Sequence, residues 1–167
     1  VRSRGLGDVY KRQPQDKLKI VGDGPLRNQL EAYKEQHGIK NIEFLGYKSG
    51  QELMDLKKNA YFVVVPSEWY ENNPMAIIES YCEGVPAIGS RIGGIPEIIN
   101  EGKTGYIFKP HNTTELTEKI AKASDLSAEV YQQMSDNAIS FAHKDMSKES
   151  YYKRLLPFYE QLLNNKK

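Results

Sequence analysis

Short apolar runs alternate with segments of helical periodicity along most of the chain. Four to five consecutive residues of mainly β-branched or aromatic character, bounded by Gly, Pro or Asn, are typical of strands. Such runs occur at Leu18–Gly22, Ile42–Gly46, Tyr61–Val65, Val85–Gly89 and Gly105–Phe108. The pattern therefore predicts five short strands.

Between and after these runs, apolar residues recur every three or four positions, which predicts helices. The first helix starts near Leu26 and ends at Gly38, a plausible C-cap. A short helical turn is expected over Ile95–Ile99. The remaining helices are predicted over Gln51–Asn59, Pro74–Gly84, Thr114–Ala123, Ala128–His143 and Lys148–Leu163.

Strand–helix alternation that ends in a helical tail predicts a Rossmann-like α/β fold, a doubly wound parallel sheet with helices on both faces. Tyr61–Val65 is apolar throughout, as expected for a central strand covered on both sides. Two interpretations remain open for the apolar stripe of the last helix: it packs on the core of this domain, or it covers another domain that this chain lacks. The stripe consists of Leu155, Leu156, Phe158, Tyr159, Leu162 and Leu163.

The first 13 residues differ from the rest of the chain. Residues 1–13 lack helical or strand periodicity and carry several arginines and lysines. We interpret them as a non-native or disordered segment, with a basic anchor as the alternative. Residues 14–167 have a length that suits one domain.

Composition excludes several classes of function. The sequence has 23 basic and 22 acidic residues, so its charge does not favour a nucleic-acid partner. No apolar run approaches the roughly 20 residues of a membrane span. The three histidines lack metal-ligand spacing, and we expect no bound metal and no other cofactor. Cys82, the single cysteine, is predicted to be a buried, inert thiol, which fits a reducing compartment.

The segment after the third strand carries two carboxylates, Glu71 and Glu79, with seven residues between them. The dipeptide Asn73-Pro74 predicts a helix start, with Asn73 as the N-cap and Pro74 as the first helical residue. Glu71 would then lie in the loop beyond the carboxyl end of a strand, where open α/β sheets bind ligands. Glu79 would lie on the following helix.

Backbone N–H groups near Met75, Ala76 and Ile77 would be free at this helix start, an arrangement suited to a phosphate. Two carboxylates beside such a helix end can hold the hydroxyls of a sugar nucleotide. From spacing alone, an equally good interpretation is one acid at a helix start and one at the surface.

Three further segments follow predicted strands. Gly22-Asp23-Gly24-Pro25 either brings backbone close to a ligand or makes a tight turn, and it lacks the third glycine of a dinucleotide fingerprint. Tyr47 could stack on a base and Lys48 could reach a phosphate, or both could belong to an exposed turn. The pair Gly93-Gly94 would permit close backbone approach to an anion.

The order of these motifs is more specific than any one of them. Gly-Asp-Gly-Pro at 22–25 is followed by Phe-Leu-Gly at 44–46, Glu-x7-Glu at 71–79 and Gly-Val-Pro at 84–86. Ser-x2-Gly-Gly-x-Pro-Glu at 90–97 and Thr-Gly at 104–105 complete the series. This order resembles the retaining glycosyltransferases of family 4, which have the GT-B fold, over about Lys17 to the C-terminus.

The resemblance implies that the chain is the C-terminal, nucleotide-sugar-binding domain of a hexosyltransferase-type enzyme of polysaccharide, glycolipid or glycan synthesis. Glu79 matches the glutamate that holds the ribose hydroxyls, and Glu71 matches the one near the transferred sugar. These two are the catalytic candidates. The substrate-binding candidates are Gly22, Gly24, Tyr47, Lys48, Asn72, Asn73, Pro74, Met75, Ala76 and Glu79. The expected donor is a UDP- or GDP-sugar, and transfer would need no metal.

One departure from the family is marked. The family places a Val-Gly-Arg and a Lys-Gly element before the Gly-Asp-Gly-Pro strand, and their basic side chains neutralise the donor diphosphate. Residues 1–13 do not replace them, and the acceptor domain is also missing. We therefore expect an N-terminally truncated fragment that is inactive alone.

The missing basic pair favours a rival hypothesis, a non-catalytic module that binds a nucleotide or sugar nucleotide. A third hypothesis, a GT-B relative such as a sugar-nucleotide epimerase, explains the Glu71–Glu79 segment less well. The resemblance implies a cytoplasmic protein. Any contact with the inner face of the membrane would run through the missing domain.

Overall fold

The structure, a computed structural model, describes residues 17–164. The segment 1–13, interpreted above as non-native, lies outside the described residues. The described strands are β1 (Leu18–Val21), β2 (Ile42–Gly46), β3 (Val63–Val65), β4 (Ala87–Ser90) and β5 (Gly105–Phe108). The described helices are α1 (Arg27–Gln36), α2 (Gly50–Lys58), α3 (Met75–Cys82), α4 (Ile95–Ile98), α5 (Thr113–Ser124), α6 (Ala128–Asp145) and α7 (Lys148–Asn164).

Every strand pair is parallel, as strand–helix alternation predicts. β1 pairs with β2 in one sheet, and β3, β4 and β5 form a second sheet in that order. The prediction that the apolar run at 61–65 is a central strand is wrong: among the described residues, 17–164, it lies at the edge of its sheet. Its strand starts only at Val63, pairs on one side with β4, and is half-buried.

Helices cover both faces of the three-stranded sheet, which confirms the predicted fold class. Consecutive residues of β4 and β5 point into two different clusters, as the two-residue period of a strand requires. Ile88 and Tyr106 pack with Leu116 and Ile120 of α5. On the opposite face, Ala87 and Ile107 pack with a cluster from α3, α4 and α6: Ile77, Tyr81, Ile95, Ile98, Ala138 and Ala142.

The last helix does not pack on this core. α7 has no buried residue, so the interpretation of its apolar stripe as core packing is wrong for the described domain. Its exposed large side chains are Tyr151, Tyr152, Leu156, Phe158, Tyr159, Leu162 and Leu163. The apolar face of this helix is therefore left uncovered by the described residues.

Candidate functional site

Three loops meet at one edge of the second sheet. Because β3, β4 and β5 are parallel, their carboxyl ends lie together. The loop 66–74 follows β3, the loop 91–94 follows β4, and residues 109–112 follow β5. Glu71 therefore lies where the sequence predicted it, beyond the carboxyl end of a strand.

The backbone and the side chain of Glu71 are both held by hydrogen bonds. The hydroxyl of Ser67 donates to Oε1 of Glu71 at 2.9 Å, and the N–H of Gly94 donates to its carbonyl oxygen at 2.6 Å. The buried hydroxyl of Ser90 in turn donates to the carbonyl oxygen of Ser67 at 2.6 Å. The end of β4 thus fixes the position of the loop that carries Glu71.

The glycine pair at 93–94 allows this loop to come close. A Cβ atom on Gly93 would lie 2.4 Å from the carbonyl oxygen of Glu71, and one on Gly94 would lie 2.3 Å from that of Asn72. Gly93 also has a φ of +56°, which other residues rarely adopt. The pair was predicted to approach an anion, and in the structure the close approach is to the backbone at 71–72.

The helix after this loop starts one residue later than predicted. Pro74 is the N-cap of α3 rather than its first residue, and Asn73 lies before the cap. The N–H of Ile77 bonds to the carbonyl oxygen of Pro74 at 3.0 Å and is not free, contrary to expectation. Met75 and Ala76 are exposed at the helix start, as a phosphate contact requires.

Glu79, on α3, is paired with Lys57, on α2. The ammonium group of Lys57 donates to Oε2 of Glu79. The side chain of Glu79 is 40% exposed and that of Lys57 only 10%. The partner of Glu79 could not be found from the sequence, because Lys57 lies 22 residues upstream in a different helix.

The candidate residues that follow β1 and β2 make their own contacts, apart from those of Glu71 and Glu79. Gly22 has a φ of +125°, and its N–H bonds to the carbonyl oxygen of Gly46 at 2.8 Å, which joins the ends of β1 and β2. The N–H of Gly24 bonds to Oδ1 of Asp23 at 2.9 Å. Tyr47 is 77% exposed, as a stacking surface must be. Lys48 is paired with the carboxylate of Glu52.

A contact between His111 and Glu68 also joins two of these loops, and the sequence did not predict it. Nδ1 of His111, after β5, lies 3.1 Å from Oε1 of Glu68, after β3. Their side chains are 68% and 26% exposed, respectively.

Cys82 ends α3 and is exposed, so the prediction of a buried thiol is wrong. The helical pattern placed Cys82 in an apolar segment but did not fix its face.

Residues 17–164 contain no cluster of metal ligands and no helix able to cross a membrane. No three His, Cys, Asp or Glu side chains of that range come together as metal ligands would. None of the described helices is long and apolar enough to cross a membrane.

Residues 6–141 match the model of one protein family, glycosyl transferases group 1. The chain belongs to this family. The resemblance inferred from motif order is thereby confirmed at the level of this glycosyltransferase family, and the chain has the Rossmann-like fold of a GT-B domain.

One curated relative and two solved structures are similar to this chain, and the two structures show a shared fold. An uncharacterized glycosyltransferase of Methanocaldococcus jannaschii is 31% identical over 127 residues, which are 76% of this chain and 36% of the relative. A glycosyltransferase from Rickettsia africae superposes with a TM-score of 0.82 at 21% identity, covering 96% of this chain and 44% of that one. Anabaena Alr3699/HepE, solved in complex with UDP-glucose, superposes with a TM-score of 0.76 at 18% identity over 95% of this chain and 45% of its own. The chain thus spans less than half the length of these relatives.

Proposed function

We propose that this chain is the donor-binding part of a retaining family 4 glycosyltransferase, which moves a sugar from a nucleotide sugar to a glycan or lipid-linked acceptor. The observation that carries the proposal is the fixed position of Glu71 at the carboxyl edge of the sheet, directly before the start of the helix that carries Glu79. The Anabaena relative with the same fold binds UDP-glucose, which supports a nucleotide sugar as the ligand.

Each part of such a donor would have a partner of suitable chemistry. Carboxylates accept hydrogen bonds from hydroxyls, so Glu79 would hold the ribose and Glu71 the transferred sugar. The N–H groups of Met75 and Ala76, at the positive end of α3, would face the diphosphate. Tyr47 would flank the base, with Lys48, Gly22 and Gly24 beside it.

The transfer itself would retain the configuration at the anomeric carbon. The bond from this carbon to the leaving phosphate oxygen breaks while the acceptor oxygen bonds on the same face. The acceptor proton moves to the leaving phosphate, which departs as the nucleoside diphosphate. In this scheme Glu71 positions the sugar and stabilises positive charge at its ring, and neither glutamate has to act as a nucleophile.

The chain alone is proposed to be inactive. Two basic residues near the site are already paired with acids, Lys48 with Glu52 and Lys57 with Glu79, so neither is a free counter-charge for a leaving diphosphate. The rest of the enzyme would supply such charge, the acceptor site and any contact with the inner face of the membrane. We place the enzyme in the cytoplasm, where nucleotide sugars are made.

Ligand-induced thermal stabilisation tests donor binding directly. UDP, GDP, ADP and their glucose conjugates form the panel, and one of them at about 100 times its dissociation constant should stabilise the fold by about 2.7 kcal/mol. Glu79→Ala should abolish most of that shift. Since this variant also leaves Lys57 without its partner, each ligand shift must be compared with the ligand-free melting temperature of the same variant. A shift unchanged by Glu79→Ala refutes the ribose assignment.

The paired state of Lys48 and Lys57 also favours the rival proposal, a non-catalytic module that binds the nucleotide only. The two proposals differ in what the complete enzyme does. The measurement is the release of nucleoside diphosphate from the sugar nucleotide by a longer protein that includes the acceptor half. Release by that protein supports the transferase. Binding without release there supports the module, and release by this chain alone contradicts its proposed inactivity.

A further inference from the structure

Lys57 has an unusual environment for a lysine near the end of a surface helix. Long basic side chains normally keep the charged end in water. The neighbouring Lys58 is exposed, but the side chain of Lys57 is only 10% exposed and its ammonium group contacts Glu79. The contact joins α2, which follows β2, to α3, which follows β3. Lys57 therefore links the side of the site assigned to the base with the side assigned to the ribose.

We infer that Lys57 is a positioning residue for the ribose-binding carboxylate. It holds Oε2 of Glu79, which leaves Oε1 as the acceptor that faces a ligand hydroxyl. The inference rests on the proposed function, because it takes Glu79 to be the ribose partner.

The physical advantage of the pair is a smaller entropy cost of binding. A glutamate on a partly exposed helix face samples several rotamers, and binding must fix one of them. A charge-assisted hydrogen bond from Lys57 fixes the carboxylate before the ligand arrives. Pre-organisation of this kind raises affinity without adding a contact to the ligand.

A purely structural role makes a different prediction. If the pair only fastens α2 to α3, its loss lowers the melting temperature but changes the affinity for all nucleotides alike. If Lys57 positions Glu79, its loss weakens binding mainly of the ligands that carry the 2′-hydroxyl of ribose. The comparison of ribose with 2′-deoxyribose ligands separates the two roles.

The experiment uses calorimetric titration of the full chain with UDP, GDP and ADP and with their 2′-deoxy counterparts. The variants are Lys57→Met, which keeps the apolar stem, and Lys57→Arg, which keeps the charge. Lys58→Met is the matched control, because Lys58 is the exposed neighbour in the same helix. Circular dichroism and the ligand-free melting temperature confirm that each variant is folded at the titration temperature.

We expect Lys57→Met to weaken binding of the ribonucleotide about tenfold, while the 2′-deoxy counterpart loses about twofold or less. Lys57→Arg should restore part of the discrimination, and Lys58→Met should match the wild type. Equal losses for both sugars, or tighter ribonucleotide binding by Lys57→Met, overturn the inference and leave the proposed function intact. If no ribonucleotide binds the wild type, or if Glu79→Ala binds as tightly as the wild type, the proposed site falls together with the inference.

Discussion

The hydroxyl of Tyr81 donates a hydrogen bond to Oγ1 of Thr104 at 2.9 Å, and both side chains are buried. The same oxygen accepts the N–H of Asn100 at 2.9 Å. The contact ties α3, the helix of Glu79, to the turn that precedes β5. Burial raises the pKa of Tyr81 well above its ordinary 10.0, and the hydrogen bond to Thr104 offsets only part of this rise.

This raised pKa predicts loss of stability in alkali. Above pH 10 the unfolded chain releases the Tyr81 proton while the folded chain retains it, so the free energy of unfolding falls as pH rises. One such group contributes a slope of at most about 1.4 kcal/mol per pH unit. Burial also raises the pKa of Tyr131, which adds in the same direction. Urea unfolding from about pH 9 to pH 11 measures the slope.

Tyr81→Phe should make this decline shallower, although loss of the hydrogen bond lowers stability near neutral pH by about 1 kcal/mol. Tyr70→Phe is the control, since Tyr70 is 87% exposed and should leave the slope as in the wild type. A Tyr81→Phe chain with the wild-type slope would show that Tyr81 does not carry the effect.

The close approach of Gly93 to the backbone of Glu71 predicts that adding one methyl group there lowers the free energy of unfolding substantially. Gly93→Ala combines a φ of +56° with a Cβ atom 2.7 Å from the backbone nitrogen of Glu71. Gly102→Ala is the matched control, because Gly102 has a φ of +75° and open space around its Cβ position. We expect Gly102→Ala to cost about 1 kcal/mol and Gly93→Ala about 3 kcal/mol or more in urea unfolding. Equal costs would mean that the loop at 71–72 moves away freely.

The hydrogen bond from Ser67 predicts a selective effect on the sugar. Ser67→Ala frees the carboxylate of Glu71, which the proposed function places beside the transferred sugar. Affinity for a nucleotide sugar should fall about fivefold, with little change for the matching nucleoside diphosphate. Ser49→Ala is the control, because Ser49 is exposed and its side chain caps no N–H group of α2. Titration calorimetry measures the affinity for both ligands. An equal loss of affinity for the two would contradict a role of Ser67 at the sugar site.

Glu101 predicts a stability effect away from the site. Its Oε2 accepts the N–H of Ile107 at 2.6 Å, and its Oε1 accepts the ammonium group of Lys119 at 2.6 Å. Glu101→Ala leaves the N–H of buried Ile107 without this acceptor, which should cost about 1–3 kcal/mol. Lys119→Met removes the ion pair and a long contact of the ammonium group with the Tyr106 ring, 6.0 Å from its centroid, but leaves the acceptor of Ile107 in place. It should cost less than about 1 kcal/mol. Chemical denaturation of both variants compares the two costs, and a larger loss for Lys119→Met would contradict this account.

Local patterns predicted the fold well, because period and turn residues act over a few positions. Ile42–Gly46 and Gly105–Phe108 are strands with the predicted bounds. Glu71 falls in its predicted loop for the same reason. The apolar stripe of 148–164 predicted a helix correctly but could not show that its apolar face stays exposed in the described domain.

Contacts between distant segments escaped prediction, because they depend on how elements pack. The sequence gives no sign that Lys57 pairs with Glu79, or that Gly94 bonds to Glu71. The exposure of Cys82 depends in the same way on which face of α3 meets the core. The roles of Glu71 and Glu79 with a donor stay predictions until ligands are bound.

The exposure of Cys82 has a practical consequence. It is the single cysteine of the chain, and it lies three residues after Glu79 on the same helix. A maleimide fluorophore would attach at this one thiol, less than a helical turn from the carboxylate under test. Changes in dye emission during nucleotide titration would then report binding beside Glu79 in real time, with no engineered label site.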